Sequence, residues 1–443
     1  MELIHVIKEL LEQKKYATVR DILLEMHPAD VAQMFEDMNK REISLLFRLM
    51  PKEQAAETFV ELETDNQEAL IKAFSDNELK EVLDELYLDD AVDIVEEMPA
   101  NVVRRILQNT DEATRKMINE ILKYPKDSAG SIMTIEYVNL KENMTVADAF
   151  QTIRRTGIDK ETIYSCYVTD QNRYLKGIVS AKGLLLSESD ALISEIMNDD
   201  VISVLTTDDR EEAAQKLQMY DLLAMPVVDH ENRLVGIITI DDAIDVIEQE
   251  ATEDIEMMAA ITPTDKPYLK TGVFETWWKR IPWLLLLMIS ATFTSVIINR
   301  YDTALATLGL AAFMPMLMGT GGNAGSQASV AVIRALSLGE VEMGDILRIV
   351  WKELRVSILC GVTMAVATFG KLLLIDRPST MTAVVVSLTL VATIVTAKLV
   401  GCILPVLAKR VGFDPAVMAS PFITTIVDAL SLIIYFDIAT AIL

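Results

Sequence analysis

The residues best placed to do chemistry in this 443-residue chain are carboxylates, and they stand in two unlike settings. The first is a lone Asp428, closing Ile423-Thr-Thr-Ile-Val-Asp428 inside an apolar run over 415–443. Phe413-Asp-Pro-Ala416 reads as a helix start, with Asp414 as the N-cap and Pro415 at the first helical position. Asp428 then lies roughly 20 Å further along a helix that rises about 1.5 Å per residue. A carboxylate that deep in an apolar run must face water, a cation or a partner charge. Thr424, one turn earlier, offers an additional oxygen. The competing reading is a buried ion pair with Lys398, the only basic residue deep in an apolar run, and the residues alone leave both open.

The second setting is a crowd of carboxylates. Residues 1–270 hold 56 Asp and Glu against 28 Lys and Arg, whereas residues 271–443 hold 10 against 12. The acidic part is long enough for two soluble domains. It lacks the basic surface that nucleic acid requires, so no nucleic-acid partner is expected. Its self-repulsion is of a kind that bound cations relieve, although a simply solvated acidic surface is the plainer reading. The densest stretch holds Asp242, Asp245, Glu250, Glu253 and Asp254, with no basic neighbour before Lys266. Like charges three and four residues apart destabilise a helix mildly until something neutralises them.

The elements that must position Asp428 are apolar runs. A bilayer crossing needs about 20 such residues, and five runs qualify, near 281–300, 303–333, 349–374, 379–407 and 415–443. Trp277, Trp278 and Trp283, beside Lys279 and Arg280, read as an interfacial belt ahead of the first. The charged opening, Met1-Glu-Leu-Ile-His-Val-Ile-Lys-Glu-Leu, is unsuited to secretion, which places the acidic part in the cytosol. Lys279, Arg280, Arg334, Arg348, Lys352, Arg355, Lys409 and Arg410 then flank the runs on the inner side. Only Arg300, Lys371 and Arg377 fall outside, so the positive-inside rule puts the C-terminus outside a multi-pass cell-membrane protein.

The second run contains Met318-Gly-Thr-Gly-Gly-Asn-Ala-Gly-Ser-Gln-Ala328. Four glycines and an asparagine argue against an uninterrupted helix. Irregular backbone at membrane depth survives where it lines a cavity, so Gly321, Gly322, Asn323 and Gly325 are candidate pore-lining residues. Close helix packing through Gly321 and Gly325 is the alternative.

Oxygen ligands without His or Cys favour a hard cation such as Mg²⁺ or Ca²⁺. The three histidines, His5, His27 and His230, lie outside the runs, and the three cysteines suggest no disulfide framework. No nucleophile–base constellation and no phosphate-binding Gly-x-x-x-x-Gly-Lys-Ser/Thr occurs, which argues against an enzyme or an ATP-driven pump.

Gly321-Gly-Asn-Ala-Gly-Ser-Gln327 together with Ser420-Pro…Thr-Ile-Val-Asp428 resembles the MgtE family of magnesium transporters, across essentially the whole chain. The glycine motif there often has Asn where Ser326 stands here. The resemblance implies a homodimer with five spans per subunit and an ion path along the two-fold axis between the second and fifth helices. Asp428 of each subunit would hold a largely hydrated Mg²⁺, helped by the carbonyl of Thr424.

The acidic part contains two repeats. Pro28-Ala-Asp-Val-Ala-Gln-Met-Phe, Pro51-Lys-Glu-Gln-Ala-Ala-Glu-Thr-Phe and Leu88-Asp-Asp-Ala-Val-Asp-Ile-Val share apolar residues at helical spacing, as in a superhelix of short helices. Val146-Ala-Asp-Ala-Phe-Gln-Thr-Ile153 then aligns with Arg210-Glu-Glu-Ala-Ala-Gln-Lys-Leu217. Tyr167-Val-Thr-Asp…Gly177-Ile-Val-Ser180 likewise mirrors Val227-Val-Asp…Gly236-Ile-Ile-Thr239. This second repeat is similar to a tandem CBS pair. Such units bind adenine nucleotides through Ser/Thr-x-x-Asp, which Thr239 and Asp242 supply and Ser180-Ala-Lys-Gly183 does not, so at most one ATP site is supported.

The expected architecture is therefore multidomain. An all-α superhelical N domain (1–125) precedes an α/β CBS pair (126–242), a connecting plug helix and linker (243–270) and a five-helix transmembrane pore domain (271–443). By the resemblance, regulatory Mg²⁺ would bind Asp89, Asp93 and Glu57 in the N domain, Glu211 and Asp221 in the second CBS unit, Asp414 at the membrane, and the plug helix. Cytosolic Mg²⁺ would then close the pore that imports it. The alternatives are a carrier of another divalent cation such as Co²⁺ or Mn²⁺, a CBS-regulated anion channel, and a membrane-anchored nucleotide sensor without a pore.

Overall fold

The computed structural model describes residues 2–264, 266, 268–301, 310–418 and 420–442. The chain divides into two compact units, Met1–Ile247 and Glu248–Leu443. Each is described on its own terms.

The first unit opens with ten short helices among the described residues, from Glu2–Glu12 to Glu112–Ile121. Their starts are encoded locally. Asn39 with Glu42 and Ser75 with Glu78 close reciprocal capping boxes, and Asp111 accepts from the amides of Ala113 and Thr114. Pro28 opens its helix, while Pro51 and Pro99 stand one residue before theirs. Such helices cannot bury an apolar face alone, so they stack. Phe35, Phe59, Leu79 and Ile106 are fully buried in one continuous core, and Phe47 packs between Phe59 and Phe74.

Two α/β repeats follow, each with a three-stranded sheet. In the first, β1 (Tyr137–Leu140) runs parallel to β2 (Thr162–Thr169), which pairs antiparallel with β3 (Leu175–Ser180). In the second, β4 (Val204–Leu205), β5 (Ala224–Val228) and β6 (Leu234–Thr239) repeat that order and sense. Backbone bonds between Thr134 and Ile237, in both directions, tie the lead-in of the first repeat to β6 of the second. The linking helix, Ile240–Met258, grows directly out of β6.

In the second unit, Val273–Arg300, Met343–Asp376, Thr380–Val411 and Pro415–Ile442 are long and apolar enough to cross a membrane, by length and composition. The expected run over 303–333 is represented by Met314–Ser337, 24 residues long, whose glycines and polar residues lower its hydropathy; 302–309 lie outside the described residues. Leu317, Val386, Ile423, Val427 and Tyr435 are buried where these helices meet. Many large apolar side chains on their outer faces, such as Leu285, Phe293, Leu359 and Val366, remain exposed, as membrane-facing surfaces are.

Candidate cation sites

In the first unit the carboxylates converge at one place. Asp89 and Asp90 occupy the first turn of the helix Leu88–Glu97, whose apolar face of Leu88, Ala91, Val92, Ile94 and Val95 is pinned in the core. Glu136 and Glu161 immediately precede β1 and β2, and the parallel pairing of Tyr137 with Thr162 sets them side by side. The Glu161 amide donates to the Glu136 carbonyl at 2.9 Å. Glu136 Oε2 accepts from the amide of Leu88 at 3.1 Å and from the Thr134 hydroxyl at 3.3 Å. One oxygen each of Asp89, Glu136 and Glu161 thus falls within 4.8 Å of the others. Asp89 is 8% exposed, and Glu161 Oε2 is buried without a hydrogen-bond partner.

Asp242 joins from the first turn of the linking helix, where Thr239 Oγ1 donates to its Oδ2 at 2.6 Å. The groups keep their protons far above the ordinary carboxylate range. Burial, then the charge of Asp242, holds Asp89 well up. The same two causes push Asp90 to about 7. Burial and then Asp241 bring Glu161 to about 8. Asp242 reaches about 6 by burial, against the opposing Thr239 hydrogen bond. The strongest influences on these four groups are burial, other acids and local hydrogen bonds, and no cationic side chain is among them. Such an all-oxygen, charge-rich set fits a hard divalent cation, which would replace the shared protons.

The other expected ligands are placed less centrally. Asp93 lies one turn along the same helix, on its solvent side, yet burial of its carboxyl and then the charge of Asp242 push it to about 7. Glu57 is exposed and close enough to act, with Glu161 and Glu136, on the Tyr87 phenol. Asp245 is exposed on the linking helix. Glu211 accepts from Gln215 Nε2 at 3.0 Å, and Asp221 stands exposed in a turn with a left-handed φ of 51°. Residue types and motif matching did not single out Glu136, Glu161 or Asp90. The available signal for the two glutamates was their position just before strands that pair in parallel.

In the second unit, the glycine segment corrects the reading of a broken helix. Met314–Ser337 runs without interruption through Gly319, Gly321, Gly322 and Gly325. Gly321, Gly322 and Gly325 serve close packing instead, while Gly319 has open space beside it. A Cβ on Gly321 would lie 2.6 Å from Thr393 Cγ2, and one on Gly322 would lie 3.0 Å from Thr424 Cγ2. A Cβ on Gly401 would collide with the Gly325 carbonyl oxygen. Helix propensity is lost at each glycine, but backbone-to-backbone approach recovers it in contacts. The helix break expected at these residues is therefore absent. Gly321, Gly322 and Gly325 are buried against neighbouring helices, and Asn323 is exposed.

Asp428 is half-buried in the middle of Ser420–Ile442, and Thr424 one turn earlier donates its hydroxyl to the Pro421 carbonyl at 2.9 Å. Lys398 is not its partner. Lys398 Nζ pairs with Glu353 Oε2 at 3.4 Å, with side chains only 7% and 13% exposed. Asp428 is left without an ion-pair partner among the described residues. Asp414 is exposed and caps the turn after it by accepting from the Ala416 amide at 2.7 Å. Asp254, near the end of the linking helix, accepts from the Ser337 hydroxyl at 3.0 Å. Burial raises its carboxyl against that hydrogen bond, with Asp414 adding and Arg334 subtracting. Glu250 and Glu253 lie partly buried on the same helix.

Comparison with known proteins agrees with this division. A family model described as a divalent cation transporter (MgtE) matches residues 314–438. The MgtE intracellular N domain matches 26–127, and CBS domains match 129–189 and 193–249. The chain is 36% identical to the magnesium transporter MgtE of Thermus thermophilus over 99% of its own length and 98% of that protein's. It is 33% identical to the Bacillus subtilis protein of the same name, over 99% and 97%. Among solved structures it resembles the cytosolic domain of the Mg²⁺ channel MgtE in complex with ATP, at 36% identity and a TM-score of 0.53, over 55% of this chain and 99% of that one. Near-complete coverage at this identity joins the helical N domain, the CBS pair and the apolar helices in one assignment: the chain belongs to the MgtE family of divalent cation transporters.

Proposed function

We propose that this protein carries Mg²⁺ across the cell membrane along a path that passes Asp428, and that cytosolic Mg²⁺ closes that path. The observation that carries the reading is the charge balance of the second unit. Lys398 is satisfied by Glu353, which leaves Asp428 at mid-helix with no counter-charge among the described residues of its chain. In a dimer, two such carboxylates facing one axis balance one divalent ion. Mg²⁺ dehydrates reluctantly and binds through few carboxylates plus waters, which suits a single Asp per subunit with the Thr424 carbonyl beside it.

Gating follows from the acidic cluster. Without metal, Asp89, Asp90, Glu136, Glu161 and Asp242 repel one another, and Asp89, Asp90, Glu161 and Asp242 hold protons. With Mg²⁺ they draw the N-domain helix Leu88–Glu97, the first α/β repeat and the start of the linking helix together. The linking helix carries Glu250, Glu253 and Asp254 on towards the spans, and the Asp254–Ser337 bond is where its end engages them. Several weak sites acting on one two-state element give a steep response. The N domain, CBS pair and linking helix face the cytosol in this scheme. Thr239 and Asp242, at the end of the second repeat, form a Ser/Thr-x-x-Asp pair suited to ribose hydroxyls, in line with the ATP complex of the related cytosolic domain, so nucleotide and metal compete for Asp242.

The test is growth of a bacterium lacking its Mg²⁺ uptake systems and carrying this gene. Wild type should restore growth at low Mg²⁺ and Asp428→Ala should not. Failure of the wild type to rescue, or equal rescue by the variant, refutes the assignment. For gating, limited proteolysis of the full-length protein should slow in millimolar Mg²⁺, and unchanged cleavage refutes closure by bridging.

A further inference from the structure

We infer that Glu353 and Lys398 act as a positioning pair for the ion path: their buried contact sets the register of the helix on which the glycine helix and the Asp428 helix are seated. The inference rests on the reading of Asp428 as the ion site. Two charges this buried are costly unless they meet, and removing one leaves the other buried and unpaired. Their contact at 3.4 Å joins Ile346–Lys371 to Thr380–Val411.

A second fixed point lies about two turns away. A Cβ on Gly361 would be 3.3 Å from Val391 Cα, so the two backbones touch there. Two fixed points on antiparallel helices leave no freedom to slide. On another face of Thr380–Val411, next to Lys398, the Ala397 carbonyl oxygen would lie 3.2 Å from a Cβ on Gly325, and Gly401 abuts the Gly325 carbonyl. Gly325 in turn would meet Ile423 Cγ2 at 2.7 Å, and Gly322 meets Thr424. The chain of contacts from Glu353 thus ends on the turn that carries Thr424 and precedes Asp428. Packing this tight transmits a shift instead of absorbing it.

The experiment measures Mg²⁺ uptake into proteoliposomes against Mg²⁺ concentration, per folded protein, for wild type, K398M, E353Q, the neutral pair E353Q/K398M, the swapped pair E353K/K398E, and D428N. Loss of a group that orients metal ligands costs about tenfold or more in affinity. The half-saturating Mg²⁺ should therefore rise about tenfold in the singles and in the neutral pair, and return to within a few-fold of wild type in the swap. The neutral pair keeps size without leaving a buried charge, so it reports even if the singles do not fold. A neutral pair with wild-type half-saturation overturns the inference, as does a loss confined to the maximal rate or a swap that folds yet restores nothing. Inactive D428N beside unaltered pair variants removes this inference alone. D428N transporting like wild type removes the reading of the ion site, and the inference with it.

Discussion

Replacing Glu161 by Gln should move the protein's stability in opposite directions with and without metal. In the metal-free state Glu161 adds charge to a site where its nearest carboxylate neighbours lie within 4.8 Å. A fully ionised pair at that distance repels by about 3.5 kcal/mol at an effective dielectric constant of about 20. Glu161 is partly open to solvent and holds its proton up to about pH 8, so screening and proton uptake reduce this to on the order of 1–2 kcal/mol. E161Q should therefore raise the metal-free melting temperature by about 2–8 °C, at roughly 2–4 °C per kcal/mol for a unit of this size. With saturating Mg²⁺ the variant has lost a ligand. A tenfold weaker site gives up about 1.4 kcal/mol of ligand stabilisation, so the Mg²⁺-induced rise in melting temperature should shrink by a comparable number of degrees. The assay is thermal unfolding of the full-length protein in detergent, near pH 8, with chelator and with saturating Mg²⁺. A Mg²⁺-induced rise of wild-type size in E161Q, or a variant less stable without metal, refutes the account of the cluster.

Two further outcomes follow from the same physics. The folded-state pKa values of Asp90, Glu161 and Asp242 are raised to about 7, 8 and 6 from ordinary values of 3.8, 4.5 and 3.8, so the metal-free native state binds more protons than the unfolded chain in that window. Their contribution to stability is greatest below about pH 4 and declines as pH rises towards 8; Mg²⁺ must displace these protons, so its affinity, read by titration calorimetry, should strengthen from pH 6 to pH 8, and a flat profile contradicts the shifts. In the second unit, G401A puts a methyl group against the Gly325 carbonyl and should cost about 2 kcal/mol or more and most of the folded yield, whereas G344A, with nothing within 4 Å, should behave as wild type; equal yields by size-exclusion chromatography refute the packing role.

Much of this architecture is legible in the residues because it is written locally. Capping pairs such as Asn39 with Glu42 mark helix starts, and the offset between the two α/β repeats reappears as two sheets of the same order and sense. At the glycine segment, propensity weighs each glycine alone and predicts a break, while the helix through Gly321 and Gly325 is maintained by partners more than sixty residues away, at Thr393, Ala397 and Gly401. The same gap in view left the partner of Lys398 undecided. Glu353 lies 45 residues from it in sequence, and only the packing of two apolar helices brings them together. Glu136 and Glu161 are inconspicuous in the sequence for a related reason. Neither lies in an acidic run, and their meeting depends on the parallel pairing of β1 with β2 and on the docking of Leu88–Glu97 nearby.

The central claim is that Mg²⁺ crosses the membrane past Asp428, which has no ion-pair partner among the described residues of its own chain. The most direct measurement is Mg²⁺ flux into liposomes containing purified wild-type or Asp428→Asn protein, followed with an internal Mg²⁺ indicator. The account expects rapid downhill uptake by the wild type and flux at the empty-liposome level for the variant, with unchanged folding. Wild-type flux through Asp428→Asn would contradict it.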